Sequence, residues 1–232
     1  MRRFAIKLWS SLLIFILLGT SSARAGTVTV PAVSGGGFTV KVKSIKEARF
    51  SSTIRQQYDF SCGSASVATL LTYYYEDAVS EQDVFKAMFD IGDQSKIRAF
   101  GFSLLDIKNY LEVKGYKAAG FKISLGKLKE IGVPAIALIN IRGYKHFVVI
   151  KGVSAKMVLL SDPAAGSRTV PRAEFESMWN GLSFIILNKK NIAQNHFNNR
   201  REWLVYEKAP LGLALSLSEL ANVSLMLPGV LR

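Results

Sequence analysis

The spacing of apolar residues changes along this chain, and each change predicts a different kind of element. Residues 8–18 (LWSSLLIFILL) are apolar apart from Ser10 and Ser11. Residues 26–40 (GTVTVPAVSGGGFTV) are rich in Val and Gly without helical periodicity and predict an extended, mobile lead-in. Val40–Val42 and Ser44–Ile45 predict a short strand or edge segment. From Ser64 to Tyr75 there are good helix formers and neither Pro nor Gly, so a helix is predicted with Cys62 at or just before its N-terminus. Ser80 with Asp83 reads as a capping box opening a second helix, with Val84, Phe85, Met88 and Phe89 on one face. A polar loop is predicted through Gly92 and Asp93. Ser103 with Asp106 repeats the capping pattern for a third helix, whose buried stripe is Leu104, Ile107, Leu111 and Tyr110, stopped at Gly115. Ser124–Ile131 predicts a short helix ending at Gly132.

Beyond Pro134 the apolar residues come in strand-length runs, AIALINI (135–141), HFVVIKGV (146–153) and MVLLSDP (157–163), separated by turns containing Gly or Lys. A short strand at Val170, a short helix over Arg172–Trp179 and a closing strand over Leu182–Leu187 complete the pattern. Helices first and a mostly antiparallel sheet second make an α+β fold. Residues 189–202 are rich in Lys, Arg and Asn. Residues 211–227 mix apolar residues with Ser and Glu219, which predicts an amphipathic helix packed on the domain or on a partner. There is no internal repeat.

Composition adds a compartment. The 232 residues suit one domain of ordinary size behind a removable leader. Arg2, Arg3 and Lys7 form a basic start before the apolar stretch, and Ala23-Arg24-Ala25 supplies a small-x-small cleavage pattern. The stretch is short for a membrane span and no stop-transfer pattern follows. A signal peptide over 1–25 is therefore expected, with a retained anchor as the competing reading, and the mature chain starts near Gly26 in a periplasm. Losing Arg2, Arg3, Lys7 and Arg24 takes the formal charge from +13 to +9. A basic chain can serve acidic partners, nucleic acid or anionic membrane. Here the positive residues are scattered, without an RNA-binding signature or basic helix, which argues against nucleic acid.

The candidate chemistry centres on RQQYDFSCGSASVATLL, residues 55–71. Cys62 is the single cysteine, and in an oxidising compartment an odd thiol is either an intermolecular bridge or a reactive group. Free N–H groups and the positive end of a helix dipole favour a thiolate. Gly63 leaves room for a substrate carbonyl beside the sulfur. Gln56 can offer its side-chain amide, next to the Cys62 backbone N–H, as second donor of an oxyanion hole. Gln57 is the alternative if the loop is shifted by one. The competing reading of Cys62 is a buried structural thiol.

A cysteine nucleophile needs a base and an orienter. Of two histidines, His146 opens a strand after Gly143, and Asp162 ends the next strand sixteen residues on. In a hairpin the two meet at one end of the sheet, where the carboxylate can bond Nδ1–H and fix the tautomer. Taken alone, His146 reads as a satisfied strand-edge residue and Asp162 as a turn cap before Pro163. His196, in an Asn- and Arg-rich segment, reads as a solvated surface residue. None of these groups requires a metal or a cofactor.

Gln-x5-Cys-Gly-x-Ala, His-Phe-Val-Val and the later Asp-Pro, spread over Gln56–Leu187, resemble the bacteriocin-processing, double-glycine leader peptidases. The resemblance implies a papain-like fold with Cys62 as nucleophile, His146 as general base and then acid, Asp162 as orienter and Gln56 as oxyanion donor. Transporter-linked members carry Asp before the cysteine, where this chain has Ser61, and are fused to an ATPase, whereas no P-loop occurs here. The chain is more similar to the exported stand-alone branch that accompanies functional-amyloid or fimbrial secretion in pseudomonads. Expected, then, are a signal peptide (1–25), a lead-in (26–45), a peptidase domain (46–188) and a C-terminal extension (189–232). Its partners would be an exported polypeptide substrate and secretion-system components, with no transmembrane domain in the mature chain. The competing functions are a papain-like thiol hydrolase or transferase of another specificity, and a non-catalytic scaffold that binds export clients. Gly35–Gly37 is a candidate self-cleavage site or a flexible linker.

Overall fold

The computed structural model describes residues 27–31, 37–41 and 44–204. The signal-peptide expectation, the Gly35–Gly36 pair and the amphipathic tail at 211–227 lie outside them. The described residues divide into two compact units, split after Ile45. In the first, β1 (Thr27–Pro31) and β2 (Gly37–Lys41) form an antiparallel hairpin with Thr27 opposite Lys41. The expected strand at Ser44–Ile45 is not there; α1 (Ile45–Arg49) begins at that point instead.

The second unit is built on α2 (Cys62–Tyr74), in which every residue from Cys62 to Leu71 is buried. Its Ala, Ser, Gly and Thr residues are small enough to be surrounded, which is why it shows no polar face. The rim of helices follows: α3 (Glu81–Ile91), α4 (Gln94–Phe100) and α5 (Leu104–Val113). Ser80 accepts a hydrogen bond from the Asp83 N–H at 3.1 Å, and Ser103 and Asp106 form a complete reciprocal capping box. The segment read as a polar loop at Gly92–Asp93 opens a helix, because Asp93 caps α4 by accepting from the Lys96 N–H at 3.1 Å. β3 (Ala118–Lys122), α6 (Leu125–Ile131), β4 (Ala135–Ile141), β5 (Tyr144–Val153), β6 (Met157–Asp162), β7 (Gly166–Pro171), α7 (Arg172–Met178) and β8 (Trp179–Ile186) complete the chain to the sheet's end.

The six-stranded sheet runs β3-β8-β4-β5-β6-β7, antiparallel at every pairing. The fold is thus α+β, as its order of elements predicts. β5 is its covered centre, buried continuously from His146 to Val153, and α2 packs across β4, β5 and β6. The β4–β5 turn uses Arg142 (φ 52°) and Gly143 (φ 92°), two consecutive left-handed residues that match a tight hairpin. Two short helices, α8 (Lys190–His196) and α9 (Arg200–Leu204), occupy the Lys/Arg/Asn-rich stretch for which no element was expected. They are pinned to an irregularity in β5: the register shifts between Ile150 and Gly152, and Asn198 accepts from the freed Val153 N–H at 2.7 Å while its own N–H donates to the Lys151 carbonyl at 2.9 Å. No helix among the described residues is long and apolar enough to cross a membrane.

Candidate active site

Cys62 is the first residue of α2, and Ser61 before it makes no side-chain cap. The Ser61 hydroxyl instead turns back on the preceding loop, accepting from the Tyr58 N–H at 3.1 Å and donating to the Tyr58 carbonyl at 3.0 Å. The first turn of the helix therefore keeps its N–H groups uncapped by that residue and contains no acidic residue, although the buried Glu81 carboxylate of α3 accepts from the Ser64 hydroxyl in that turn at 2.9 Å. The thiol is 7% exposed and lines a cleft of about 700 Å³. Phe60, Phe100, Phe102, Tyr144 and Phe147 give that cleft an aromatic wall. The room expected beside Gly63 is already taken: a Cβ there would stand 2.9 Å from Phe102 Cβ. Gly63 serves the packing of the α4–α5 connection on α2, not a substrate carbonyl.

Pairing of Val149 with Ser161 brings the start of β5 and the end of β6 to one edge of the hairpin. His146 and Asp162 meet there, with His146 Nε2 2.8 Å from Asp162 Oδ1, both side chains about 95% buried. The ring nitrogen differs from the one expected. Nε2, not Nδ1, faces the carboxylate. Nδ1 is buried and has no hydrogen-bond partner, while Cys62 is near enough to influence the ring's charge. Burial works against an imidazolium, but the Asp162 hydrogen bond and the Cys62 sulfur outweigh it, and the His146 pKa is pushed up to about 9.

Asp162 is a turn cap and a site carboxylate at once. Its Oδ1 also accepts from the Ala164 and Ala165 N–H groups at 2.9 and 3.3 Å, and its Oδ2 receives Arg168 Nε and Nη2, each at 3.1 Å. Burial pushes the carboxyl up, but His146, Arg168 and the Ala164 N–H together hold it below the usual carboxylate range. Arg168, on the return strand, escaped the reading from sequence. The Asp-Pro-Ala-Ala-Gly turn was visible, but nothing short of the strand register shows that it aims the following arginine back at Asp162.

Gln56 is half-buried near this cluster, its backbone N–H donating to the Pro163 carbonyl at 3.1 Å, next to Asp162. Its Nε2 donates to the Tyr58 carbonyl at 3.1 Å and its Oε1 is buried without a partner. Gln57 is elsewhere, accepting from Gln82 Nε2 on α3 at 3.0 Å. Tyr144 lies over His146 with ring centroids 6.0 Å apart and donates to the Asp59 carbonyl at 2.9 Å, closing the start of β5 onto the glutamine loop. His196 lies apart, its Nε2 3.1 Å from Glu76 Oε1.

Comparison with known proteins bears on this cluster. A model of the peptidase C39 family matches residues 51–191. Proteins named "Probable functional amyloid protease FapD" from Pseudomonas aeruginosa and Pseudomonas fluorescens are each 40% identical to this chain, over 77% and 76% of its length and 79% of theirs. Among solved structures, the peptidase domain of Streptococcus ComA, a bi-functional ABC transporter involved in a quorum sensing pathway, is similar with a TM-score of 0.50 and 18% identity over 58% of this chain and 96% of that one. That likeness is one of fold. The family match begins ahead of the glutamine loop and ends beyond β8, so it spans the helix, the hairpin and the turn just described: the chain belongs to the peptidase C39 family and is a papain-like cysteine peptidase.

Proposed function

We propose that this peptidase acts on an exported polypeptide through Cys62, His146 and Asp162, with Gln56 assisting. The observation that supports the reading is one buried imidazole whose Nε2 lies 2.8 Å from a buried carboxylate, whose Nδ1 is buried without a partner, and whose proton affinity is raised by the helix-start Cys62. Cys62 sulfur attacks the scissile carbonyl carbon, and the oxyanion is received by the Cys62 backbone N–H and by the second N–H of Gln56 Nε2, the first being held by Tyr58. His146, charged at neutral pH, gives its proton to the leaving amine as the C–N bond breaks. It then takes a proton from water, the resulting hydroxide attacks the thioester, and the thiolate departs. Asp162 keeps the ring oriented and its charge compensated throughout.

The substrate class follows from the relatives named as functional-amyloid proteases: a secreted component of such a fibre or its export machinery, cut in the periplasm after the N-terminal segment has directed export. Cleavage after a Gly-Gly pair belongs to the same reading. The test compares the N-termini of all exported proteins in cells carrying wild-type or Cys62→Ala protein. One or a few new termini present only with the thiol are expected; identical sets would remove the proposal.

A further inference from the structure

Outside the cleft, the second unit buries a lysine. Lys151, on β5 five residues after His146, has a side chain with 0% exposure, and a buried cation persists only where its donors are matched. An ammonium has three N–H donors. Lys151 Nζ meets three acceptors: Ser167 Oγ at 2.6 Å, Ser52 Oγ at 2.9 Å and Glu202 Oε2 at 3.2 Å. The hydroxyls continue as a chain, with Thr53 Oγ1 2.8 Å from Ser167 Oγ and 2.9 Å from Ser161 Oγ. Tyr74, at the far end of α2, reaches Glu202 Oε2 from its hydroxyl at 3.4 Å.

Apart from Glu202, each of these partners lies on an element or segment that bears a residue of the site. Ser161 precedes Asp162, and Ser167 precedes Arg168. Ser52 and Thr53 begin the segment leading to Gln56, itself fastened to α2 by the Ile54 N–H donating to Thr69 Oγ1 at 2.9 Å. Tyr74 belongs to the helix that starts at Cys62. The counter-charge comes from α9, which lies beyond the stretch matched by the family.

We propose that Lys151 and Glu202 are positioning residues: the buried ammonium, countered by the α9 carboxylate, ties together the segments bearing Gln56, Cys62, His146 and Asp162 and sets their mutual geometry. The proposal rests on the Cys62–His146 reading above. An ion pair with its ammonium fully buried contributes little to stability, since apolar replacements are commonly as stable, so what the pair aligns is the more telling feature. Burial holds the Lys151 pKa down, while Glu202 opposes that effect.

Because Cys62 is the chain's single thiol, its alkylation by iodoacetamide reports on the site without a substrate. The rate is followed across pH in wild type, His146→Ala, Glu202→Gln, Ser167→Ala and the paired Lys151→Met/Glu202→Leu, with circular dichroism confirming fold. Loss of the low-pH alkylation arm in His146→Ala establishes the underlying Cys–His pair; its retention would sink that reading and the proposal with it, whereas the charge variants test the proposal alone. Given that arm, Glu202→Gln and the paired variant are expected to lower the rate near neutrality by roughly ten- to a hundredfold, the scale of a misplacement of about 1 Å. Ser167→Ala, which leaves both charges in place, is expected to shift it in the same direction by less. A wild-type profile in folded Ser167→Ala together with either folded charge variant overturns the proposal.

Discussion

Asp162 shows how one carboxylate can cap a turn, pair with an arginine and hold an imidazole at once. Its Oδ1 caps the β6–β7 turn and holds His146, while Oδ2 is clamped by Arg168. The turn-cap reading of Asp162 holds, and the contact with His146 shows that it does not exclude the proposed catalytic one. Asp162→Asn keeps the shape but not the charge, and kcat is expected to fall by roughly 10⁴ if the imidazole takes the wrong tautomer. Linkage gives the sign of the pH response. His146 is raised to about 9 in the folded chain, so the stability it contributes is complete below its unfolded pKa and is lost as pH rises toward and through about 9. Asp162 is lowered, so its contribution is present above its unfolded pKa and is lost as pH falls through the folded value. A peptidase assay and thermal melts across pH should both decline on the alkaline side near 9, and a His146→Gln melt should lack that decline. The residue types and their rough meeting place were legible in the sequence; the ring nitrogen and the Arg168 clamp were not, because a rotamer and a strand register decide them.

Among the elements, those announced by a local signal were readable. Ser80, Ser103 and Ser124 cap α3, α5 and α6, and Gly132 (φ 72°) stops α6 in the left-handed conformation its sequence suggested. α4 passed unnoticed since only Ile97 of its seven residues is buried, too few to make a stripe. β3 did so because its Ala-Ala-Gly core gains strand character only from pairing with β8. One glycine carries more weight than its surroundings suggest. Gly166 has φ 81° and a Cβ there would lie 2.7 Å from Arg49 Cβ. Gly166→Ala is expected to cost at least ~1–2 kcal/mol from backbone strain alone, a fall in Tm of roughly 2–8 °C, measurable by calorimetry. It should also impair cleavage, since that turn presents Asp162. Ser103→Ala, by contrast, should cost about 1 kcal/mol through loss of the capping box without changing kcat.

At the scale of the whole molecule, the antiparallel run β4-β5-β6-β7 places His146 and Asp162 on neighbouring strands sixteen residues apart, whereas Cys62 arrives from a distant helix. Contacts close in sequence form with less loss of chain entropy and form sooner. The His146–Asp162 pair is thus expected to assemble before Cys62 docks, and pulsed hydrogen exchange should show amides of β5 and β6 protected ahead of those in α2; the reverse order would refute it. A partly folded chain then carries a sulfur with no base beside it. Newly made copies, unfolded and crowded together, would be poor at cutting one another, and proteolytic competence would arrive as the last consequence of folding.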